Sequence, residues 1–198
     1  MKLSDRLFLA SHSPRRRELI RLLGVPCEIL DPPDMDEVLL IEQFEGIAED
    51  MPAALAEAKA VLALPYIREG YLICADTDVI HAGEILGKPS SPDDAFQMLK
   101  RLSGDKHLVV TGVSVAKAPE GTIRTRAAKT KVKFISMTDS EIRRYVASGE
   151  PIDKAGAYGI QGLAAPFIER IEGCYFNVVG LPINLLYRLL IEAGFRFD

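Results

Sequence analysis

The sequence has 198 residues, of which 48% are hydrophobic and 26% charged, as in an ordinary globular protein. This length favours a single domain, which can contain two lobes, and the composition excludes disordered, collagen-like and coiled-coil chains. The 24 basic and 28 acidic residues give a formal net charge of −4, which argues against a nucleic-acid partner.

The sequence has no segment that is both long and apolar enough to span a membrane. Its longest uncharged runs, at 155–168 and 173–187, are interrupted by Gly, Pro, Gln or Asn. The apolar stretch at 7–10 is too short for the core of a signal peptide. We therefore expect a cytoplasmic protein with no membrane partner.

Cysteine and histidine spacing gives no sign of a disulfide or a metal cluster. Cys27, Cys74 and Cys174 are odd in number and far apart, so we interpret them as reduced, buried packing residues. The three histidines also lack ligand spacing, and surface or loop positions are expected for them.

Strands and helices are predicted to interleave along the chain. Strands are predicted at 6–10, 26–30, 71–75, 107–117, 122–135 and 166–171. Helices are predicted to begin at Ser13, near Met51, and at Ser91, Thr138 and Pro182. A hairpin is expected at 78–86. One antiparallel pair among interleaved elements indicates an α/β domain with a mixed sheet.

The segment from Ser11 to Arg17 joins the first strand to the first helix. Its hydroxyls, arginines and helix-start N–H groups are suited to binding an anion such as phosphate. The alternative is that Ser13 only caps the helix and the arginines form a solvated face.

Asp76 directly follows the buried run at 72–75, which predicts a carboxylate at the C-terminal end of a strand, where open α/β sheets bind ligands. Such an acid can bind a metal ion or activate water, and the alternative is a cap for the next turn. Lys59, on an Ala- and Leu-rich helix, and Lys88, in a Gly-Lys-Pro turn, could bind phosphate or simply be exposed. Glu37 could supply a second oxygen ligand for Mg²⁺ or be a solvated loop acid.

Gln161 lies in the glycine-dense segment 154–162, which does not match a dinucleotide-binding fingerprint. Its amide could recognise the edge of a base or bridge backbone groups of the loop. Together these features predict a site for a phosphate ester or nucleotide, without a covalent nucleophile.

Seven motifs, in order along the chain, resemble those of the Maf family of nucleoside-triphosphate pyrophosphatases. They are SHSPRRREL, LAEAKA, ADTDV, GEILGKP, LSGDKHLVVTGVSV, DKAGAYGIQG and NVVGLPI. The resemblance implies one domain over 1–198, with a two-lobed mixed-sheet fold and a central cleft, similar to the inosine-triphosphate pyrophosphatases. It also implies a homodimer and hydrolysis of a nucleoside triphosphate to the monophosphate and pyrophosphate.

The resemblance also implies roles for individual residues. Asp76 takes the position of the catalytic acid that accepts a proton from water, and it shares Mg²⁺ or Mn²⁺ with Glu37. The residues implied to bind the triphosphate are Ser11, Ser13, Arg16, Lys59 and Lys88. The loop at 31–51 is longer and more acidic than the family pattern, so Asp34 and Asp36 remain alternative metal ligands.

Three further positions bear on specificity. Arg15, Thr77 and Gln161 match the subgroup that acts on dTTP and UTP, whereas the sister subgroup that prefers 7-methyl-GTP differs at these positions. One alternative to a dTTP/UTP pyrophosphatase is therefore a 7-methyl-GTP pyrophosphatase. Two others do not depend on these positions: a phosphatase of nucleoside monophosphates, and a non-catalytic regulator of septum formation, a role with which the family is associated.

Overall fold

Strands and helices alternate along most of the chain in the computed structural model, which describes residues 6–33 and 35–197. The strands are β1 (Leu7–Ala10), β2 (Cys27–Leu30), β3 (Gly70–His81), β4 (Glu84–Leu86), β5 (Lys106–Ala118), β6 (Thr122–Phe134) and β7 (Ile168–Glu172). The helices are α1 (Pro14–Leu19), α2 (Glu37–Glu42), α3 (Met51–Ala63), α4 (Pro92–Leu102), α5 (Asp139–Val146), α6 (Tyr175–Val179) and α7 (Ile183–Glu192).

These strands form a mixed sheet. Its seven strands run in the order β2-β1-β3-β5-β6-β7, with β4 paired to β3. Strand β1 is parallel to both β2 and β3, whereas the β3–β4 and β6–β7 pairs are antiparallel. The mixed α/β class predicted from the sequence is therefore confirmed.

Local sequence signals set several helix starts. Ser13 and Ser91 accept hydrogen bonds from the first turns of α1 and α4, and Thr138 forms a capping box with Glu141 in α5. The longest described helix, α3, has 13 residues. Within the described residues, no helix has both the length and the apolar character needed to cross a membrane.

The chain divides into two compact units. The first comprises Met1–Asp76, Thr111–Ala128 and Gly180–Asp198, and the second comprises Thr77–Val110 and Lys129–Val179. Strands β3, β5 and β6 each contribute residues to both units.

In the first unit, small residues let α3 pack closely on the sheet. Ala60 and Ala63 are buried against Leu72 and Cys74 of β3. A Cβ atom on Gly112 of β5 would overlap the carbonyl group of Pro52, at the start of α3. This close contact fixes the position of α3, which carries Lys59.

The three cysteines are free thiols, as expected, but only Cys74 is buried. Burial raises the pKa of Cys74 to about 12, so its thiol is a packing group. The prediction of burial is wrong for Cys27 and Cys174, which are half-buried. Cys27 lies on β2 at the edge of the sheet, and Cys174 lies between β7 and α6.

The core of the second unit contains an aromatic cluster around His107. The ring of His107 packs edge-on against Phe134 and Tyr158, with centroid distances of 5.1 and 5.3 Å. Its Nε2 is hydrogen-bonded to Oη of Tyr158 at 2.8 Å. The expectation of a surface or loop position is therefore wrong for His107, which is 3% exposed. Burial lowers the pKa of His107 to about 3, so the ring is neutral.

Two local predictions need correction. Strand β3 does not end before Asp76 but continues to His81, because polar residues follow the buried run without breaking the extended backbone. The segment 31–51, which the sequence predicts to be a loop, contains the short helix α2, with Asp36 as its N-cap. The side chain of Asp36 accepts a hydrogen bond from the backbone N–H of Leu39 at 3.0 Å.

Candidate active site

Two carboxylates converge on one ammonium group in the first unit. Lys59 Nζ lies 2.5 Å from Asp76 Oδ1 and 2.8 Å from Glu37 Oε1. The side chains of Lys59 and Asp76 are 20% and 14% exposed, whereas that of Glu37 is 49% exposed. The cluster is therefore shielded at Asp76 and open to solvent at Glu37.

Three elements bring these groups together. Asp76 follows the fully buried part of β3, Lys59 lies on α3, and Glu37 is the first residue of α2. Asp36, an alternative metal ligand from the sequence, uses its carboxylate to cap α2. The other alternative, Asp34, lies outside the described residues.

The charges in this cluster stabilise one another. Burial disfavours the Lys59 ammonium, but the Asp76 and Glu37 carboxylates outweigh this effect and raise the pKa of Lys59. Lys59 is therefore a permanent cation at neutral pH. Its ammonium group lies within hydrogen-bond distance of both carboxylates and balances their negative charge.

The side chain of Arg16 bonds to backbone carbonyl groups of two distant segments, one of them directly before Asp76. Its Nη1 donates to the carbonyl of Ala75 at 2.8 Å, and its Nε donates to the carbonyl of Gly180 at 2.8 Å. Burial lowers the pKa of Arg16, although the negative charge of Asp76 opposes this shift. Arg16 therefore positions the strand next to Asp76, in addition to any contact with a ligand.

The segment between β1 and α1 is organised by its own hydroxyls. Ser11 Oγ accepts from the N–H of Ser13 at 3.1 Å, and Ser13 Oγ accepts from the N–H of Arg16 at 3.4 Å. Arg17 Nε donates to the carbonyl of Ser11 at 2.8 Å. The capping role that the sequence predicts for Ser13 is confirmed, and the Oγ–H groups of both serines remain donors.

The remaining candidates belong to the second unit. Thr77 follows Asp76 on β3, Lys88 is exposed after β4, and Gln161 is exposed in the glycine-rich loop. The N–H of Gly156 donates to the carbonyl of Gly87 at 3.0 Å, so the segments that carry Lys88 and Gln161 are joined by a backbone hydrogen bond. The first unit holds the other candidates, Ser11, Ser13, Arg15, Arg16, Glu37, Lys59 and Asp76.

Sequence reasoning missed Tyr145 and Glu150, which contact the loop that carries Gln161. Tyr145 Oη donates to Glu150 Oε1 at 2.9 Å and accepts from the N–H of Gly159 at 3.3 Å. Glu150 Oε2 accepts from the N–H of Leu163 at 2.9 Å. The glycine spacing at 159 and 162 is the sequence signal that points to close approach by such side chains.

The donor set at Glu37 and Asp76 fits a hard divalent cation. Mg²⁺ commonly uses one or two protein carboxylates and takes its other oxygen ligands from water and substrate phosphates. Among the described residues, no group of three or more His, Cys, Asp or Glu side chains is placed to hold a metal ion. Glu37 and Asp76 both contact the Lys59 ammonium, so their two carboxylates can face a single cation. This pair is therefore the candidate metal site of the first unit.

Comparison with known proteins identifies the family. The family model described as "Maf-like protein" matches residues 6–193. The chain belongs to the Maf family, and the family prediction from the sequence motifs is confirmed.

Individual relatives are similar over nearly their whole length. The chain is 45% identical over 190 residues to a protein of Carboxydothermus hydrogenoformans, covering 96% of this chain and 100% of the relative. It is 48% identical over 190 residues to a protein of Moorella thermoacetica, covering 96% of each. A relative from Syntrophomonas wolfei is 42% identical over 186 residues, covering 94% of this chain and 96% of the relative. All three relatives bear the name "dTTP/UTP pyrophosphatase".

Proposed function

We propose that this protein is a nucleoside-triphosphate pyrophosphatase that hydrolyses dTTP and UTP to the monophosphate and pyrophosphate. The observation that carries the proposal is the convergence of Asp76 and Glu37 on Lys59. The names and the full-length similarity of the relatives support the substrate class.

The proposed chemistry starts from the carboxylate group of Asp76. Asp76 accepts a proton from a water molecule as the water oxygen forms a bond to the α-phosphorus. The bond between the α-phosphorus and the α-β bridging oxygen breaks, and pyrophosphate leaves with that oxygen. Lys59 stabilises the negative charge of Asp76 and contacts phosphate oxygens.

Glu37 and Asp76 are proposed to hold Mg²⁺ or Mn²⁺. A divalent ion bound there neutralises negative charge on the phosphate oxygens. Ser11, Ser13, Arg16, Lys59 and Lys88 are proposed to bind the triphosphate through hydroxyl and cationic donors. Arg15, Thr77 and Gln161 are proposed to select the pyrimidine base, since these residue types match the dTTP/UTP subgroup.

The test is release of pyrophosphate from dTTP, UTP, CTP, ATP, GTP and 7-methyl-GTP, with Mg²⁺ or Mn²⁺. Selective turnover of dTTP and UTP is expected, and Asp76→Asn is expected to reduce kcat by about 10²–10⁴-fold. Asp93→Asn is the matched control, because Asp93 is an exposed acid in the first turn of α4. Gln161→Ala is expected to raise KM for UTP and dTTP by about 5- to 150-fold through the loss of base hydrogen bonds.

Each alternative function has its own result in this assay. Preference for 7-methyl-GTP would overturn the pyrimidine assignment, and release of orthophosphate from monophosphates would indicate a phosphatase. No turnover of any nucleotide would favour the regulator of septum formation, whose cellular effect should survive Asp76→Asn.

We also propose a cytoplasmic homodimer that does not bind nucleic acid. The net charge of −4 supports the absence of a nucleic-acid partner. Light scattering at several protein concentrations tests the dimer, and fractionation of cells tests the location. A monomer at micromolar concentration, or recovery with the membrane fraction, would contradict these assignments.

A further inference from the structure

The loop that carries Gln161 is a tight turn. The N–H of Gly162 donates to the carbonyl of Gly159 at 3.1 Å, which closes the turn around Ile160 and Gln161. The side chain of Gln161 is exposed. The groups that bond to the two ends of this turn therefore determine the position of the Gln161 side-chain amide.

One pair of side chains holds both ends. Tyr145 accepts from the N–H of Gly159, and Glu150 accepts from the N–H of Leu163. The pair is itself joined by the 2.9 Å hydrogen bond from Tyr145 Oη to Glu150 Oε1. Burial and the Glu150 carboxylate both raise the pKa of Tyr145, so the phenol keeps the proton that it donates.

The pair is anchored to its surroundings. Tyr145 is 4% exposed, and its ring packs against Phe167 with a centroid distance of 6.0 Å. The backbone of Glu150 bonds to Ser148 Oγ at 3.2 Å and to Lys154 Nζ at 2.6 Å. The Tyr145–Glu150 pair is thus a fixed support rather than a mobile surface contact.

The glycine spacing of the loop is explained by the same pair. A Cβ atom on Gly162 would overlap the Glu150 carboxylate, and a Cβ atom on Gly159 would lie 2.8 Å from Cε of Lys154. Both positions therefore require the absence of a side chain if Glu150 and Lys154 are to reach the loop.

We propose that Tyr145 and Glu150 are positioning residues for substrate specificity, which hold the Gly159–Leu163 loop so that Gln161 meets the edge of the pyrimidine base. This inference rests on the proposed function and assigns the pair no contact with the reacting atoms. The pair acts through Gln161, so its removal should weaken recognition of the base and leave the chemical step intact.

The test is a double-mutant cycle with Tyr145→Phe in the unmodified chain and in the Gln161→Ala variant. In the unmodified chain, Tyr145→Phe should raise KM for UTP and dTTP by about five- to twentyfold, with kcat within about twofold. The preference for UTP over CTP should fall by a similar factor. In the Gln161→Ala variant, Tyr145→Phe should leave that preference unchanged.

Two further variants test the pair without relying on Tyr145. Glu150→Gln replaces the carboxylate with a weaker acceptor, whereas Gly162→Ala displaces the Glu150 carboxylate without removing it. Both variants should reduce the preference for UTP over CTP. Tyr66→Phe is the matched control, because Tyr66 is 71% exposed. Thermal unfolding of each variant identifies any loss of folded protein.

The outcomes separate this inference from the proposed function. An unchanged UTP preference in all three variants, or an equal loss of kcat on every nucleotide in both backgrounds, would overturn the positioning role alone. Absence of pyrophosphate release by the unmodified chain would overturn the proposed function and this inference with it.

Discussion

Lys59 Nζ lies 2.5 Å from Oδ1 of Asp76, and this ion pair links α3 to β3 within the first unit. Neither side chain is more than 20% exposed, so solvent screens the pair only partly. The pair therefore contributes to folding and holds the carboxylate of the proposed catalytic acid in place.

Replacing Lys59 with Met should affect activity and stability together. Removing the ammonium leaves Asp76 without this partner, so kcat/KM for UTP should fall by at least about 100-fold. The free energy of unfolding should fall by about 2 kcal/mol, the usual loss for a charged hydrogen bond. Pyrophosphate release and urea unfolding measure the two effects.

The control for Lys59→Met is Lys106→Met, which removes an exposed lysine at the start of β5. Asp76→Asn should cost less stability in the Lys59→Met variant than in the unmodified chain, because the ion pair is already broken. Additive losses of stability would show that the two residues do not interact energetically.

Glu37→Gln should weaken metal binding more than it slows catalysis. Losing one of two carboxylates should raise the Mg²⁺ concentration for half-maximal activity by about tenfold, with the maximal rate within about threefold. Calorimetric titration with Mn²⁺ provides a direct measurement.

Two neighbours of Glu37 serve as comparisons. Glu42→Gln, at the exposed end of α2, should leave the metal dependence unchanged. Asp36→Asn should also have little effect, because Asn caps helices as well as Asp does. A shift from Asp36→Asn as large as that from Glu37→Gln would instead favour Asp36 as the ligand.

His107 should make the protein less stable in mild acid. Its pKa is about 3 in the folded chain and near its ordinary value of 6.5 in the unfolded chain, so only the unfolded chain binds this proton between those values. The contribution of neutral His107 to the free energy of unfolding is therefore complete above about pH 6.5 and is lost as the pH falls toward 3. At pH 5 the free energy of unfolding should already be lower by about 2 kcal/mol. Urea unfolding at several pH values measures this slope.

The variant His107→Gln should remove this part of the pH dependence. His12→Gln, at an exposed position, should retain it. Equal slopes in the unmodified chain and in His107→Gln would mean that other groups cause the loss of stability in acid.

Gly112→Ala should destabilise the first unit by overpacking. The added methyl group would overlap the Pro52 carbonyl at the start of α3, and inserting atoms into a packed core costs about 1–3 kcal/mol. Because α3 carries Lys59, kcat should fall as well. Gly87→Ala is the stability control, since a Cβ atom there meets nothing within 4 Å. Unchanged unfolding of Gly112→Ala would contradict the close packing of α3 on β5.

Most of the local structure follows from short-range sequence signals. Ser13, Ser91 and Thr138 mark helix starts because their side chains bond to N–H groups only three residues away. The sequence also identifies the family, because the motifs appear in family order. It did not reveal the continuation of β3 through Asp76 or the short helix α2, whose apolar residues Val38, Leu39 and Ile41 are exposed and give no sign of a buried face.

Contacts between side chains that are distant in the sequence depend on the packing of the folded chain. Lys59 and Asp76 are 17 residues apart, and Arg16 reaches carbonyl groups 59 and 164 residues away. The glycines at 159 and 162 signal a close approach to the Gln161 loop, but only the structure shows that Tyr145 and Glu150 are the side chains bonded to it. Capping and periodicity act over a few residues, whereas these contacts depend on the packing of distant strands, helices and loops against one another.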